Sequence, residues 1–508
     1  MKKVLKDKLN ILIIFISIFL ILLCFNRSLW GDEAWTAIIM KYDFKEMIRE
    51  IGQDVHPPLY FVLLKLIVTL FGQHIEIMKI MSVVPTIILM VIGKKYIQHI
   101  FKSDFIAGVF ICLVGLMPSC MHMSVELRMY SWSILFVTWS AFLGCEIYLH
   151  DQRKDKLLFA LSGVLAAYTH NFNIISEIFV YMILFIALLV KDKKYIKDIL
   201  IISLITILGY LPWLFISFKQ VMNVNNDFWL WSVNFTDIAQ MLIYPFNSLC
   251  HNEIPNLFVL IFIGLPLLMT SLLFIVVLKT TINNHFKNQK ANFVLLCYIP
   301  MYGLMMFGVV YGLLIRPIFV ARYLHSTIGI FFLGVSVGTS MIKKNSLKNV
   351  AIIILICNMI YGCFFNIQRE YFNGTEDTLA FFEKAKKEYS TRTIVTDIFL
   401  LSTTVMPYYE TQYTTYSNTV YNVEQSNQPI FYIADQKNDQ SFLENMNCKK
   451  LYSGNIDNEY FFDIYLINNQ YIGVSQYKDD DTIKYEMCIY DYRNGKKIYS
   501  KENLEAIS

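Results

Sequence analysis

The sequence predicts an α-helical polytopic membrane protein that ends in a small α/β domain outside the membrane. Of its 508 residues, 56% are hydrophobic and only 17% are charged, whereas soluble proteins carry nearer a quarter charged residues. The apolar residues come in runs of about 16 to 24, long enough to cross roughly 30 Å of hydrocarbon as helix. From residue 367 onward such runs are missing, and short apolar stretches alternate with polar ones.

The first thirty residues have a basic start followed by an apolar core. Lys2, Lys3, Lys6 and Lys8 precede the apolar residues 11–25. A cleaved signal peptide is the alternative, but this core is longer than most signal cores and no A-x-A-like site follows it. We therefore predict that the segment is the first permanent span, with its basic end in the cytoplasm.

Lysine-rich connections orient the remaining spans, because Lys and Arg concentrate in the cytoplasmic loops of membrane proteins. The other connections are poor in basic residues, and Lys219 is the only Lys or Arg between residues 218 and 255. We place these connections outside. The basic connections, which we place in the cytoplasm, are 94–102, 153–156, 191–197, 279–290 and 343–348.

One choice sets the number of spans. The apolar stretch 57–71 is only fifteen residues long and contains Lys65, so it is typical of an interfacial or re-entrant helix. The next stretch is then the true crossing, and the resulting odd number of spans places the C-terminal segment outside. The eleven predicted spans are 9–29, 76–97, 103–121, 129–149, 156–172, 174–190, 197–217, 256–279, 291–314, 323–342 and 349–366.

The chain is thus predicted to consist of a transmembrane domain, 1–366, and an extracytoplasmic α/β domain, 367–508. Strand-like runs occupy 393–396, 430–434 and 460–467, and a hairpin is expected around Asn494-Gly495. Ten cysteines are scattered without CxxC or metal-ligand spacing. Cys448 and Cys488 could pair. The small net charge of +4 disfavours a nucleic-acid surface.

Ionisable residues beside membrane spans are costly and mark functional sites by default. In the predicted topology the unusual ones fall on the outer face and come from five separate segments, which indicates an outward-facing polar cavity. They are Asp32, Glu33, His56, Glu126, Arg128, His170, Arg316 and Arg322.

Each of these residues also has a purely structural explanation. The acids Asp32 and Glu33 are compatible with the first turn of an amphipathic helix over 34–51, and His56 with a rigid turn before two prolines. Ion pairs that close a loop would account for Glu126 and Arg128. A helix-end hydrogen bond would account for His170, snorkelling for Arg322, and a plain flanking charge for Arg316.

The chemistry suited to such a cavity follows from its residue types. A carboxylate can deprotonate an incoming hydroxyl, and Arg or His can stabilise an anion at headgroup depth. Lipid phosphate is the anion found there. A reaction that attacks a group linked to lipid phosphate and expels the phosphate needs both kinds of residue.

The order of the motifs resembles a known family. The motifs are W-x-D-E-A at 30–34, H-P-P-L-Y at 56–60, E-x-R-M-Y at 126–130, Y-T-H at 168–170 and A-R-Y-L at 321–324. Together, over roughly residues 1–340, they resemble the GT-C glycosyltransferases of the protein mannosyltransferase type (glycosyltransferase family 39). Bacterial aminoarabinose transferases that modify lipid A are relatives of that family.

The resemblance implies a GT-C fold with juxtamembrane helices in the first outer loop, and inverting transfer from a polyprenyl-phosphate-linked sugar on the extracytoplasmic face. It implies that Asp32 is the general base, that Glu33 supports it, and that Glu126 is a further catalytic acid. The residues that it implies at the donor phosphate are His56, Arg128, His170, Arg322 and Tyr323.

Some features remain open under this resemblance. Leu127 stands where Ala or Ser is usual before R-M-Y. The C-terminal domain matches no known acceptor domain, so a protein, a wall polymer and a glycolipid all remain acceptors. Metal use varies among GT-C enzymes, and no ligand cluster in the sequence requires a divalent ion.

A non-catalytic flippase or transporter of lipid-linked glycans is the alternative function. Transporters place their ionisable groups near the midplane of the bilayer and often contain repeated halves. This chain keeps its acids at the outer edge and shows no half-repeat. The sequence therefore favours the enzyme.

Overall fold

A computed structural model shows a helical bundle and a smaller unit with β-sheets. It describes residues 7–226, 230, 233–247, 257–417, 429–438, 440, 443, 448–467, 470–479, 482–491 and 496–503. Two compact units are discontinuous in sequence. The first combines Met1–Phe25 with Asp43–Ile367, and the second combines Asn26–Tyr42 with Gln368–Ser508.

The described helices alternate with short connections along most of the chain. Short 3₁₀ turns lie at Lys193–Tyr195, Tyr244–Phe246 and Ala321–Leu324, and a π turn at Leu401–Val405. In chain order the helices are α1 (Lys8–Leu23), α2 (Gly31–Ile39), α3 (Phe44–Gln53), α4 (Leu59–Phe71), α5 (Ile75–Phe101), α6 (Asp104–Leu116), α7 (Pro118–Val125), α8 (Tyr130–His150), α9 (Arg153–Thr169), α10 (Asn171–Lys191), α11 (Ile196–Asn226), α12 (Phe235–Ile243), α13 (Leu257–Asn283), α14 (Gln289–Leu314), α15 (His325–Met341), α16 (Asn345–Tyr371), α17 (Thr375–Glu388) and α18 (Met406–Tyr409).

The prediction of a polytopic α-helical membrane protein is confirmed. Within the described part of the chain, eight helices are long and apolar enough to cross a membrane. A ninth crossing results if α6 and α7, which meet at 56°, form one broken span. Helix α1 is apolar but has only 16 residues. Ten of the eleven predicted spans each lie mainly on one described helix, whereas the predicted span 103–121 covers α6 and the first part of α7 with the bend between them. The count of eleven and the orientation stay predictions.

Helix α15 lies at the centre of the first unit and is buried along nearly its whole length. Glycines allow its neighbours to approach closely. A Cβ on Gly329 would lie 2.0 Å from Oγ1 of Thr138 on α8, and one on Gly334 would lie 2.7 Å from Cβ of Cys297 on α14. The turn Ala321–Leu324, which carries Arg322 and Tyr323, leads directly into this central helix.

The segment between α1 and α5 is helical, as expected for juxtamembrane helices. Residues 34–51 form two helices rather than one, because Asp43 caps a new helix by accepting a hydrogen bond from the Glu46 backbone N–H at 2.8 Å. The prolines after His56 precede α4, which matches the predicted helix over 57–71.

The second unit has a five-stranded mixed sheet, so the small α/β domain is confirmed. Its strand order is β2-β1-β3-β5-β4, in which β1 runs parallel to β2 and β3, and β5 runs antiparallel to β3 and β4. A second, antiparallel sheet has the order β6-β7-β8. The strands are β1 (Thr393–Thr396), β2 (Thr414–Ser417), β3 (Ile430–Asp435), β4 (Cys448–Ile456), β5 (Tyr460–Ile467), β6 (Gln470–Asp479), β7 (Thr482–Asp491) and β8 (Lys496–Asn503).

Three of the eight described strands coincide with the apolar runs that the sequence predicts. Strands β1 and β5 have the predicted bounds, and β3 is one residue longer. The turn at Asn494-Gly495 lies outside the described residues, although β7 and β8 on either side of it pair antiparallel. Cys448 is a free thiol that donates to the Leu443 carbonyl, and the side chain of Cys488 lies outside the described part of the structure.

Candidate functional site

The first unit holds His56 in a loop that α10 and α11 fix from the side. Gln220 on α11, itself buried, donates to the backbone carbonyls of Ile51 and His56 at 3.0 and 3.3 Å. Asn171 at the start of α10 donates to the Val55 carbonyl at 2.8 Å. These hydrogen bonds satisfy backbone carbonyls that have no secondary-structure partner in a loop. They hold the backbone at His56 in place and so limit the positions of its imidazole.

His56 is in contact with Arg128, and the contact fixes its tautomer. Nη2 of Arg128 lies 2.6 Å from Nε2 of His56. A guanidinium can only donate, so Nε2 accepts and the proton of the neutral ring is on Nδ1. Burial, followed by the charge of Arg128, holds the pKa of His56 well below its ordinary value. Nδ1 of His56 is buried and has no hydrogen-bond partner within the described parts of the chain.

His170 also has one ring nitrogen that accepts a hydrogen bond and one without a described partner, but here Nδ1 is the acceptor. The backbone N–H of Phe172 donates to Nδ1 of His170 at 3.2 Å and thereby caps α10. The proton of the neutral ring is therefore on Nε2, a buried atom for which the described residues supply no partner. Burial, and next the charges of Arg128 and Arg322, lower the pKa of His170 to about 3. Both histidines are thus neutral N–H donors at physiological pH.

Two aromatic residues complete this cluster. The His170 ring lies 5.4 Å from the His56 ring and 5.0 Å from the Tyr323 ring. Tyr130, at the first residue of α8, has its ring 5.8 Å from His170. Its hydroxyl is buried and finds no hydrogen-bond partner among the residues the structure describes. Tyr130 is within electrostatic range of Glu126, Arg128, Arg322 and Tyr323.

We call this group, made of His56, Glu126, Arg128, Tyr130, His170, Arg322 and Tyr323, the outer cluster. Three buried donors of the cluster, Nδ1–H of His56, Nε2–H of His170 and O–H of Tyr130, have no hydrogen-bond partner among the described residues. Two guanidinium charges act on both histidines. Buried polar groups are normally paired, so donors left over beside positive charge are suited to an anion with several acceptor oxygens.

Asp32 and Glu33 lie in the second unit, in the first turn of α2. Glu33 is buried, and its carboxylate accepts a hydrogen bond from the Trp30 backbone N–H at 3.2 Å. Asp32 is partly exposed. One carboxylate therefore stabilises the start of the helix, while the other is accessible.

Residues from the end of the chain hold α2 in place. The Gly31 backbone N–H donates to the Tyr460 hydroxyl at 3.2 Å. A Cβ on Gly31 would lie 2.8 Å from Cδ1 of Leu400, so a larger residue here would require the Leu400 side chain to move. Just before the helix, the Ser28 hydroxyl donates to the Asp457 carboxylate at 2.6 Å.

The fold is shared with solved membrane proteins. No family model matches the sequence, and no curated protein matches it significantly. The crystal structure of ArnT from Cupriavidus metallidurans bound to undecaprenyl phosphate superposes with a TM-score of 0.57. It is 11% identical, and the match covers 90% of this chain and 97% of that one. The chain has the GT-C fold.

Two further structures are similar to the chain at lower scores. The apo state of ArnT from Cupriavidus metallidurans has a TM-score of 0.46 at 10% identity, with 90% of this chain and 97% of that chain covered. The archaeal oligosaccharyltransferase AglB from Archaeoglobus fulgidus, in complex with an inhibitory peptide and a dolichol-phosphate, has a TM-score of 0.47 at 8% identity, with 85% and 69% covered.

In this GT-C chain the sequence-predicted site residues fall into both units. The first unit brings His56, Glu126, Arg128, His170, Arg322 and Tyr323 together, while Asp32 and Glu33 belong to the second. Tyr130 and Gln220 were not predicted. Tyr130 ends the E-x-R-M-Y motif, which was a usable signal, whereas Gln220 lies in a long apolar helix without any local signal.

Glu126 has a different environment from the acids of α2. It is buried at the C-terminal end of α7, and its Oε2 lies 3.8 Å from Nε2 of His122, one helical turn earlier. Arg128 is linked to Glu126 across Leu127, because the Arg128 backbone N–H donates to the Glu126 carbonyl at 2.7 Å. The E-x-R pair therefore acts as one rigid element of the outer cluster.

Proposed function

We propose that the protein is a membrane glycosyltransferase that moves a sugar from a polyprenyl-phosphate-linked donor to an acceptor hydroxyl or amine on the outer face of the membrane. The outer cluster is the observation that carries this proposal, because its unpaired buried donors and two guanidiniums match a lipid phosphate. The similarity to ArnT, solved with undecaprenyl phosphate, supports the same ligand class.

The outer cluster would act on the departing phosphate. As the bond between the anomeric carbon and the phosphate oxygen breaks, negative charge develops on that oxygen. Neutral imidazole N–H groups and the Tyr130 hydroxyl can donate to it without being deprotonated, and Arg128 and Arg322 supply fixed positive charge. Donors that are already oriented toward developing charge typically contribute about 10²- to 10³-fold each in rate.

Asp32 is our choice for the general base. It is the accessible carboxylate of the pair, so it can take the proton of the acceptor while the acceptor oxygen or nitrogen attacks the anomeric carbon. A single displacement of this kind inverts the anomeric centre and releases polyprenyl phosphate. Glu33 is buried in the helix start, so we assign it to orienting Asp32, with Glu126 as a second acid that supports the cluster.

An assay with two readouts tests the function. Full-length protein in detergent or liposomes is given a pool of undecaprenyl-phosphate sugars and cell-envelope acceptors, and mass spectrometry measures glycosylated product and released undecaprenyl phosphate. Asp32→Asn should abolish product formation while leaving undecaprenyl phosphate binding intact. Asp377→Asn, which removes an exposed acid from the first turn of α17 in the same unit, is the matched control.

A flippase would give the opposite result. It would move the lipid-linked glycan across a liposome without forming product, and Asp32→Asn would not separate binding from turnover. Near-normal product formation by Asp32→Asn would remove Asp32 from the mechanism. The acceptor class follows from which envelope fraction gains sugar.

A further inference from the structure

A second group of titratable side chains lies at the far end of α8. The helix begins at Tyr130, in the outer cluster, and ends at His150. Twenty residue steps at 1.5 Å each separate the two ends by about 30 Å. The group is therefore distinct from the outer cluster, and the lysine distribution places it on the cytoplasmic side.

Three side chains from two helices converge there. Nδ1 of His99, near the end of α5, lies 2.8 Å from Oε1 of Glu146 on α8. Nε2 of His150 lies 3.6 Å from the other oxygen, Oε2. Glu146 and His150 are four residues apart and so occupy one face of the helix. One ligand atom from each of the three residues lies within 4.8 Å of the others.

An aromatic stack next to the group constrains the position of the Glu146 carboxylate. The rings of Tyr96 on α5 and Phe142 on α8 stack at 5.2 Å with an interplanar angle of 6°. Each ring is about one turn before a member of the group, so the stack fixes the register of the two helices at this point. Glu146 is buried, whereas the side chains of His99 and His150 are 51% and 44% exposed.

A buried carboxylate needs compensation by positive charge. Both oxygens of Glu146 face imidazole nitrogens, and the described residues place a second carboxylate nearby. Asp155, in the first turn of α9, is within electrostatic range of Glu146, His150 and His99. Lys154 beside Asp155 offsets only one of the two carboxylate charges, so the group retains negative charge that a bound cation would compensate.

We propose that His99, Glu146 and His150 form a Zn²⁺ site that ties α5 to α8 at the cytoplasmic end of the bundle. Zinc takes imidazole nitrogen at about 2.0–2.1 Å and carboxylate oxygen at about 2.0–2.2 Å, so neighbouring ligand atoms on a tetrahedral ion are about 3.3 Å apart. The two histidine nitrogens lie 2.8 and 3.6 Å from the two different oxygens of Glu146, on either side of that value, and the ligand atoms all lie within 4.8 Å of one another. Imidazole ligands favour zinc over magnesium or calcium, which prefer oxygen.

Zinc in structural sites is normally four-coordinate, so a fourth ligand such as water would complete the site. The exposed histidines can adjust by rotation about their side-chain bonds, while the carboxylate between them stays fixed. This site has no part in the proposed sugar transfer. It would stabilise the pairing of two spans.

Zinc binding by the full-length protein tests the site. Purified protein is stripped with chelator and titrated with Zn²⁺, and with Co²⁺ as a spectroscopic probe, in parallel with the double variant His99→Ala/His150→Ala and with Glu146→Gln. The histidines are exposed enough for replacement without loss of folding, and Glu146→Gln preserves shape. His285→Ala removes an exposed histidine elsewhere and is the matched control.

The wild type and the control should bind one Zn²⁺ per chain, give the visible absorption of tetrahedral Co²⁺, and unfold at a higher temperature with zinc than without. The double variant should lose the bound ion, the Co²⁺ spectrum and the temperature shift, and Glu146→Gln should bind at least about tenfold more weakly. Equal zinc binding by the double variant and the wild type would overturn the proposal. So would a wild type that takes up no zinc, which would show that the imidazoles alone compensate Glu146.

Discussion

Replacing His170 by asparagine should make the protein less sensitive to acid. The folded protein keeps His170 neutral, with a pKa of about 3 against an ordinary value of 6.5. Between these two pH values the unfolded chain binds a proton that the folded chain does not. Stability from this residue is therefore fully present above pH 6.5 and is lost as the pH falls below it.

The size of the effect follows from the two pKa values. At pH 5 the unfolded residue is 1.5 pH units below its pKa of 6.5 and the folded residue is still neutral. At about 1.36 kcal/mol per unit, acidification from pH 8 to pH 5 costs about 2 kcal/mol of unfolding free energy through His170. Asparagine does not titrate. Its side-chain oxygen can still accept from the Phe172 N–H and cap α10.

Melting temperatures measured at pH 8 and pH 5 in the same detergent provide the assay. His170→Asn should show a smaller drop than the wild type, while His285→Asn, at an exposed position, should show the same drop as the wild type. His56 adds its own acid sensitivity in all three proteins, since burial and Arg128 are the larger causes of its lowered pKa and His170 contributes less. Equal drops for the wild type and His170→Asn would refute the reasoning, since His170 would then titrate normally in the folded state.

Three further changes test other parts of the structure. Tyr460→Phe removes the acceptor of the Gly31 N–H and should destabilise the protein by about 1 kcal/mol. In transfer assays it should lower turnover but leave undecaprenyl phosphate binding unchanged; unchanged turnover would contradict a positioning role. Gln220→Ala frees the loop of His56 and should weaken undecaprenyl phosphate binding several-fold, measured by photo-crosslinking, whereas wild-type binding would show that the loop is held by other means. A cysteine in place of the exposed Lys437 should react with an impermeant thiol reagent in intact cells; reaction only after lysis would reverse the predicted orientation.

Much of the secondary structure could be predicted from the sequence, because the hydrophobic pattern of a helix or strand lies within one short segment of the chain. Runs of apolar residues predicted the long helices, and the short apolar runs at residues 393–396 and 460–467 predicted β1 and β5 with their observed bounds. The prediction of one helix over 34–51 was wrong, because the segment contains the end of α2 and the start of α3. Asp43 caps the start of α3.

Pairings between distant residues could not be read in this way. Ser28 and Asp457 are 429 positions apart, and no periodicity connects them. The pair of Glu146 and His150 had the right helical spacing for a ligand pair, but His99 comes from another helix and completes the group only in the folded chain. The tautomer of His56 likewise depends on Arg128, which is 72 positions away in the chain.

Residues 26–42 belong to the same compact unit as the C-terminal part of the chain, and this has a consequence for engineering. A truncated protein that ends at residue 367 would lack Tyr460 and Asp457, which contact α2 and the residues before it. A loss of activity in that truncated protein could therefore not be assigned to acceptor binding alone. A chimera that exchanges the C-terminal part with that of another protein should carry residues 26–42 from the same parent. The two segments should be exchanged together, as one structural module.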